Sequence, residues 1–257
     1  MKINFLKKIS ILSFVVTLLF SCASNKDILY LQGTPQNAAV ASTYDPVLQP
    51  ADELMIVISA ENPELAVPYN LNSVSIETNS GLQSDQSGIL TYLISKDGTV
   101  DMPMLGSVKL AGLTRMEAIQ KINGLLVNHI KNPTVNLRLL NFKVSVIGEV
   151  AKPGTLIVQN ERVTILEALS FAGDLTIYGK RNSIMVIREV NGVKTINTID
   201  LTSSDLINSP YYFLAQNDVV YVEPNKTKVN SSVIGPNIAV VLSSVSLLIA
   251  ILAITIN

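Results

Sequence analysis

The chain has 257 residues, with 19 Lys and Arg against 20 Asp and Glu, one histidine, one cysteine and no tryptophan. A near-neutral balance supplies no basic surface for nucleic acid, and one cysteine cannot form an internal disulfide. With a single histidine and no spare thiol, neither a His/Cys zinc cluster nor a thiol–imidazole pair can be built.

The N-terminus has the three parts of an export signal. Lys2, Lys7 and Lys8 start it, an apolar run from Ile9 to Phe20 follows, and then come the small residues Ser21, Cys22 and Ala23. The run is too short for a bilayer core, which needs roughly 20 residues. Leu19-Phe20-Ser21-Cys22 resembles the lipobox of bacterial lipoproteins, in which the thiol takes a diacylglyceryl group and cleavage falls just before it. The alternative is an incidental cysteine in an ordinary signal. Cleavage would remove three lysines and leave 16 basic residues against 20 acidic, a net charge near −4. Residues 23–48 are polar and read as a tether.

The next segment opens on Gln49-Pro50-Ala51-Asp52, a turn that gives way to a β-rich run at Glu53. Residues 70–88, rich in Ser, Asn, Gln and Gly, read as a surface loop. Asp97-Gly98 between two strand-like runs predicts a hairpin, and Pro103 and Gly106 punctuate the next turn. Thr114-Arg115-Met116-Glu117 spells a capping box, in which the threonine oxygen accepts an early amide and the glutamate reaches back. Ala118, Ile119, Ile122, Leu125, Leu126 and Ile130 follow at helical spacing. A strand after Asn132-Pro133 closes this part.

The plan then repeats. FKVSVIGEVAKPGTLIV, which holds Gly148, reads as strand, Lys152-Pro153-Gly154 turn, strand. Thr164 and Glu167 spell a second capping box, and Gly173 is a helix stop. SIMVIRE, TINTID and DVVYVEP read as strands. Strands around one short helix, twice over, predict two small α+β modules.

After Lys228 no charged residue appears. From 234 to 256, roughly 22 helical residues would reach about 33 Å, enough for a hydrocarbon core of about 30 Å. A helix buried in a core is the alternative, but such a helix usually keeps a charged face. This predicts a transmembrane helix.

These parts together resemble the outer-membrane polysaccharide export lipoproteins of the Wza type. QPADELMIVI, SKDGTVDMPMLGSVKLAGLTRMEAI and NPTVNLRL resemble their polysaccharide export domain. VIGEVAKPGTLIV, TILEALSFAGDL and FLAQNDVVYVEP resemble the SLBB domain, a β-grasp fold that follows it. The family often has Pro-Gly-Asp where this chain has Pro50-Ala51-Asp52, and the insert from Asn70 has no obvious counterpart. The resemblance implies an α+β chain of two small β-grasp-like modules in tandem, followed by the transmembrane helix. Its division would be signal peptide 1–21, lipid-anchored tether 22–48, export domain 49–140, SLBB domain 141–225 and C-terminal helix 226–257. It also implies a homo-oligomeric ring, commonly of eight subunits. The ring would stand in the periplasm, open through the outer membrane, and carry polysaccharide from an inner-membrane copolymerase of tyrosine-kinase type. No cofactor and no nucleic-acid partner are implied.

At 100° per residue Asn237, Ser244 and Thr255 fall on one thin polar line of the last helix. Leu248 and Ile251 lie close to it. In one reading the line faces a pore. In the other the helix only anchors, and the small residues aid packing. A membrane-anchored scaffold or glycan-binding lipoprotein without a pore is the competing function. An enzyme is the least supported: His129 lies at a helix end, Asp52 and Glu53 point to opposite faces of a strand, and no phosphate loop of the GxxxxGK[ST] form occurs. Tyr178, Tyr211 and Tyr212 are candidates for glycan contact or for packing.

Overall fold

Two apolar cores form, one on each side of residues 139–142, in a computed structural model that describes residues 25–35, 45–71, 90–190, 192–234 and 238–255. In the first domain β1 (Glu53–Ser59) lies between β2 (Tyr92–Leu93) and β5 (Thr134–Leu139), antiparallel to both. Alternation along β1 buries Leu54, Ile56 and Ile58 on one face. The single turn α1 (Pro63–Ala66) is capped by Asn62. α2 (Arg115–Leu126) lays Ala118, Ile122 and Leu126 on the same core, each four residues from the last and so on one helix face.

The ladder of this domain differs from the sequence expectation. The antiparallel pair is β3 (Thr99–Met102) with β4 (Gly106–Lys109), turned through Pro103, Met104 and Leu105. Asp97-Gly98 instead makes a tight loop between β2 and β3, with Gly98 N–H donating to Ser95 O at 2.9 Å. The dipeptide specifies a reversal, but the strand partner is chosen by which neighbour offers the matching apolar face. Val100 pairs with Val108, and both are buried.

The second domain contains β6 (Lys143–Gly148), β7 (Gly154–Ile157), α3 (Ile165–Phe171), β8 (Gly179–Val190), β9 (Val193–Ile199) and β10 (Val219–Pro224). Its sheet runs β7-β6-β10-β8-β9, with β10 parallel to β6 and every other pair antiparallel. First and last strands side by side, with one helix across them, make a β-grasp-like layer. The first domain lacks that mixed sheet, so the α+β class describes both domains and the β-grasp-like order describes only the second. Where β6 meets β10, a Cβ on Gly148 would stand 2.1 Å from the Val222 carbonyl oxygen, at a φ of +94°. Only glycine permits that approach.

The two domains share a local device. In each, a four-residue turn ends in a buried aspartate. Asp52 N–H donates to Gln49 O and Asp218 N–H to Ala215 O, both at 3.2 Å. Each carboxylate accepts the amide at the turn's start, Gln49 N–H at 2.8 Å and Ala215 N–H at 2.7 Å. The third residue, Ala51 or Asn217, takes a left-handed φ of 70° or 65°. Just before each turn the chain bridges the helix N-cap, Val47 to Thr114 and Phe213 to Thr164. The unit precedes its helix in the first domain and follows it in the second, so the sequence repeat is permuted.

Both ends of the described chain differ from expectation. Residues 25–32 dock on the second domain rather than forming a free tether. Leu31 N–H donates to Leu201 O at 3.0 Å and Tyr30 Oη to Asp174 Oδ1 at 2.6 Å. Burial and that carboxylate push the Tyr30 hydroxyl well above its ordinary range. The apolar C-terminus is two helices, α4 (Lys226–Ile234) and α5 (Ile238–Thr255). The 18 residues of α5 reach about 27 Å, against a hydrocarbon core of about 30 Å. Among the described residues no helix is long and apolar enough to cross a membrane, which corrects the continuous transmembrane helix expected over 234–256. Gly235 and Pro236 lie outside the described residues.

An alanine at φ 70° costs about 1–2 kcal/mol, partly offset by its smaller loss of chain entropy compared with glycine. Ala51→Gly should therefore stabilise the first domain by about 0.5–1 kcal/mol, read as a higher midpoint in denaturant. An unchanged or lower midpoint would show that the turn is not strained.

Candidate functional site: the junction between the domains and the apolar end

The residues between the cores carry the contact. Leu139 packs against both cores, and Phe142, 1% exposed, starts the second. Between them Asn141 faces back. Its Nδ2 donates to Ala51 O at 2.9 Å, and its Oδ1 accepts Glu53 N–H at 3.0 Å. From the far side Gln216, 4% exposed, reaches across. Gln216 Nε2 donates to Asn141 O at 2.9 Å and to Asp52 Oδ1 at 3.3 Å, while its Oε1 accepts Lys143 N–H at 2.7 Å. The two aspartate turns are thus placed against one another, with Gln216 of the second turn bonded to Asp52 of the first.

The two buried aspartates have opposite electrostatics. Asp218 is met by a bidentate Arg188, with Nη2 to Oδ2 at 2.6 Å and Nε to Oδ1 at 3.0 Å. The Arg188 guanidinium also lies 4.9 Å from the Tyr211 ring centroid. Among the described residues Asp52 meets neutral hydrogen-bond donors, the Gln49 amide and Gln216. Burial pushes its carboxyl up to about 6, against an ordinary value of 3.8, while the Gln49 amide and Gln216 pull the other way.

Beside this network lies a groove of about 320 Å³, walled by Leu48, Leu137, Arg115, Arg138, Gln159 and Asn160. Arg115 of α2 closes it by an ion pair with Glu161 of the second domain, Nη2 to Oε2 at 3.2 Å. The groove offers amides and cations over an apolar floor. Among the described residues no group of three His, Cys, Asp or Glu side chains is placed to hold a metal ion.

The other residues singled out in the sequence hold turns and helix ends. Pro50 sits in the first aspartate turn, Gly106 opens β4 and Gly154 opens β7 after Pro153. Thr114 Oγ1 accepts Glu117 N–H at 3.2 Å while Glu117 Oε2 accepts Thr114 N–H at 2.8 Å, and Thr164 with Glu167 repeats this at 3.1 and 2.7 Å. After α3, Gly173 N–H donates to Ser170 O and Asp174 N–H to Leu169 O, a Schellman stop. Asn70 is not a free loop residue. Its side chain accepts Ile58 N–H and donates to Ile58 O and Ala66 O, tying α1 to β1. The His129 ring lies 6.1 Å from that of Tyr69. Tyr211 and Tyr212 pack on the second core, and Tyr178 stands under Lys228.

Cys22, Asn237 and residues 72–89 lie outside the described residues, and Thr255 is placed only as the end of α5. On α5, Ser244 Oγ donates to Val240 O at 2.9 Å, as does Ser243 Oγ, and Ser246 Oγ donates to Leu242 O at 2.8 Å. Hydroxyls bonded in this way tolerate an apolar surrounding. Val240, Leu242, Leu247 and Ile249 are each more than 60% exposed, so the helix has no cover from the described chain on several faces.

The described residues thus form two α+β domains fixed by a polar junction and followed by an apolar helix that they leave largely exposed. Residues 40–140 match the polysaccharide biosynthesis/export protein family, and residues 142–222 match the SLBB domain. The chain belongs to the Wza-type polysaccharide export proteins. It is similar to the EPS I polysaccharide export outer membrane protein EpsA of Ralstonia solanacearum, 26% identical over 192 residues that make up 72% of this chain and 50% of that protein. The protein of the same name from Ralstonia nicotianae gives the same 26% over 192 residues. This chain spans about half the length of these relatives, 50% in each case.

The Asp52 carboxyl yields a pH prediction. Between pH 3.8 and about 6 the folded chain keeps a proton that the unfolded chain has released. The stability this group contributes is full below 3.8 and lost as pH rises through about 6. Asp52→Asn cannot ionise, so wild type minus variant stability should fall across that window, by roughly 3 kcal/mol at most. Denaturant unfolding of the full chain in detergent at several pH values measures this. A difference that stays constant with pH would place the Asp52 carboxyl in its ordinary range.

Proposed function

We propose that the chain is a non-enzymatic component of exopolysaccharide or capsule export at the outer membrane. The observation that carries this is the tandem of an export domain and an SLBB domain, locked by the Asp52–Gln216–Asn141 junction and followed by an uncovered apolar helix. Similarity to proteins named as outer-membrane polysaccharide exporters supports both cargo and location. In this reading Cys22 carries acyl chains, each buried CH₂ adding about 0.8 kcal/mol to membrane attachment. Residues 1–21 are removed, and the two domains stand in the periplasm.

Several copies, eight on family grounds, form a ring that delimits a passage for the glycan. α5 meets the outer membrane beside its copies, in a bilayer thinner than average. In this reading the polar line through Ser244 of α5 faces the lumen. An inner-membrane copolymerase of tyrosine-kinase type hands over the polymer at the other end. The absence of tryptophan suits a conduit that holds its cargo weakly. A second reading draws on the serine hydroxyls of α5, which bond to their own helix and need no water. In it the helix only anchors, and the domains act as a periplasmic scaffold.

Export assays of point variants separate the two. Ser244→Arg, at normal protein level and normal assembly, should lower surface polysaccharide severalfold in the conduit reading. Unchanged surface polysaccharide would favour the anchored scaffold. Cys22→Ser should abolish the lipid mass increment on the mature chain, and an increment that persists would remove the lipoprotein assignment.

A further inference from the structure

Among the described residues, an apolar core covers one face of the second domain's sheet, and the other face is at least partly exposed. Val144, Val146, Ile184, Val186, Val220 and Val222 point to the side that α3 closes. The alternate residues point the other way. Strand register fixes their neighbours. Ile147 and Met185 flank Tyr221, Ser145 and Ile187 flank Val219, and Ile196 pairs with Ile187. Ile147, Met185, Ile187, Ile196, Val219 and Tyr221 thus form one apolar field across four strands. None of the six belongs to either core, all are at least partly exposed, and Ile196 is 64% exposed.

The field has a polar rim. The Lys180–Glu223 pair, 2.8 Å, stands at one end and the Lys194–Glu189 pair, 3.7 Å, at the other. An antiparallel sheet face left to water normally carries polar residues on it. An apolar centre inside a polar rim is the anatomy of a protein interface.

The opposite side of the same domain carries a different apolar surface. Phe171 stands on the outer side of α3, 68% exposed. Beside the helix the docked N-terminal segment leaves a groove of about 320 Å³ lined by Tyr30, Leu31, Leu166 and Leu169. The domain therefore has a field on one side and a knob with a groove on the other. Contact between like surfaces would make a two-fold pair and leave one surface unused. Contact between unlike surfaces uses both and repeats from copy to copy.

We infer that the uncovered sheet face of one copy packs on the α3 side of the next, around Phe171 and the groove at Leu31. This rests on the multi-copy reading above and assigns the surfaces that reading needs. Four strands at about 4.8 Å and three residues at about 3.4 Å give a footprint of about 19 by 10 Å, or roughly 200 Å². A stable pair of proteins buries about 800 Å² on each partner. One such contact is too small for a lasting dimer and suits copies also gathered by α5 and closed into a ring. The rim pairs neutralise their own charges, so the sheet face can meet a second copy without net repulsion.

Charge exchange on the full chain in detergent tests this, with particle mass as the readout. Ile196→Lys and Phe171→Glu each place a charge at an exposed position, and each alone should weaken association by about tenfold or more. The double variant Ile196→Lys/Phe171→Glu brings lysine to glutamate at every contact and should recover assembly. Single variants that assemble like wild type, loss with Ile196→Lys but not with Phe171→Glu, or a double variant that stays dispersed would each overturn the pairing. A wild-type chain that runs as one copy would instead overturn the multi-copy reading, and this pairing with it.

Discussion

A buried hydrogen-bond network between two turns holds the domains in register. Asp52, Asn141 and Gln216 lie close to one another at the boundary of the two cores, and each is bonded to a group from another segment. A buried amide or carboxylate left without partners costs more than its bonds add when made. The junction therefore favours one arrangement of the domains over a loose hinge. Leu139, shared by both cores, and the Arg115–Glu161 pair act on the same boundary. The multi-copy conduit proposed above would need such stiffness, since any freedom within one copy would be multiplied around the assembly.

Two aspartates in the same kind of turn have been put to different uses. Asp218 is neutralised by Arg188 and fastens the second domain to itself. Among the described residues Asp52 has no cation and depends on amides from both domains. The unpaired carboxyl sits where the domains meet. An ionised group there weakens the junction relative to its protonated form, so the boundary responds to pH through Asp52.

Local chemistry was legible in the sequence, and partner choice was not. Both capping boxes, the Lys152-Pro153-Gly154 turn and the stop at Gly173 depend on residues within a few positions of one another, and such patterns can be read from letters. Asp97-Gly98 predicts a hairpin because the dipeptide reports a reversal but not which strand will pair. Asn141 and Gln216 gave no periodic or motif signal, although the shared spacing of Gln49 to Asp52 and Ala215 to Asp218 was available. Tyr30 stands in the short apolar run Ile28-Leu29-Tyr30-Leu31, which spells no motif, and its value lies in Asp174, 144 residues away. At the C-terminus hydropathy marks the apolar stretch but does not limit the described helix α5 to 18 residues.

The central claim is that copies of this chain, lipid-tethered and fixed at the junction, close into a ring with α5 gathered at one end. Imaging the full mature chain in a lipid disc tests it most directly. The account predicts closed particles of many copies, with the second domain adjacent to the lipid and the first domain distal. Single copies with an intact α5, or particles with no continuous passage, would contradict it.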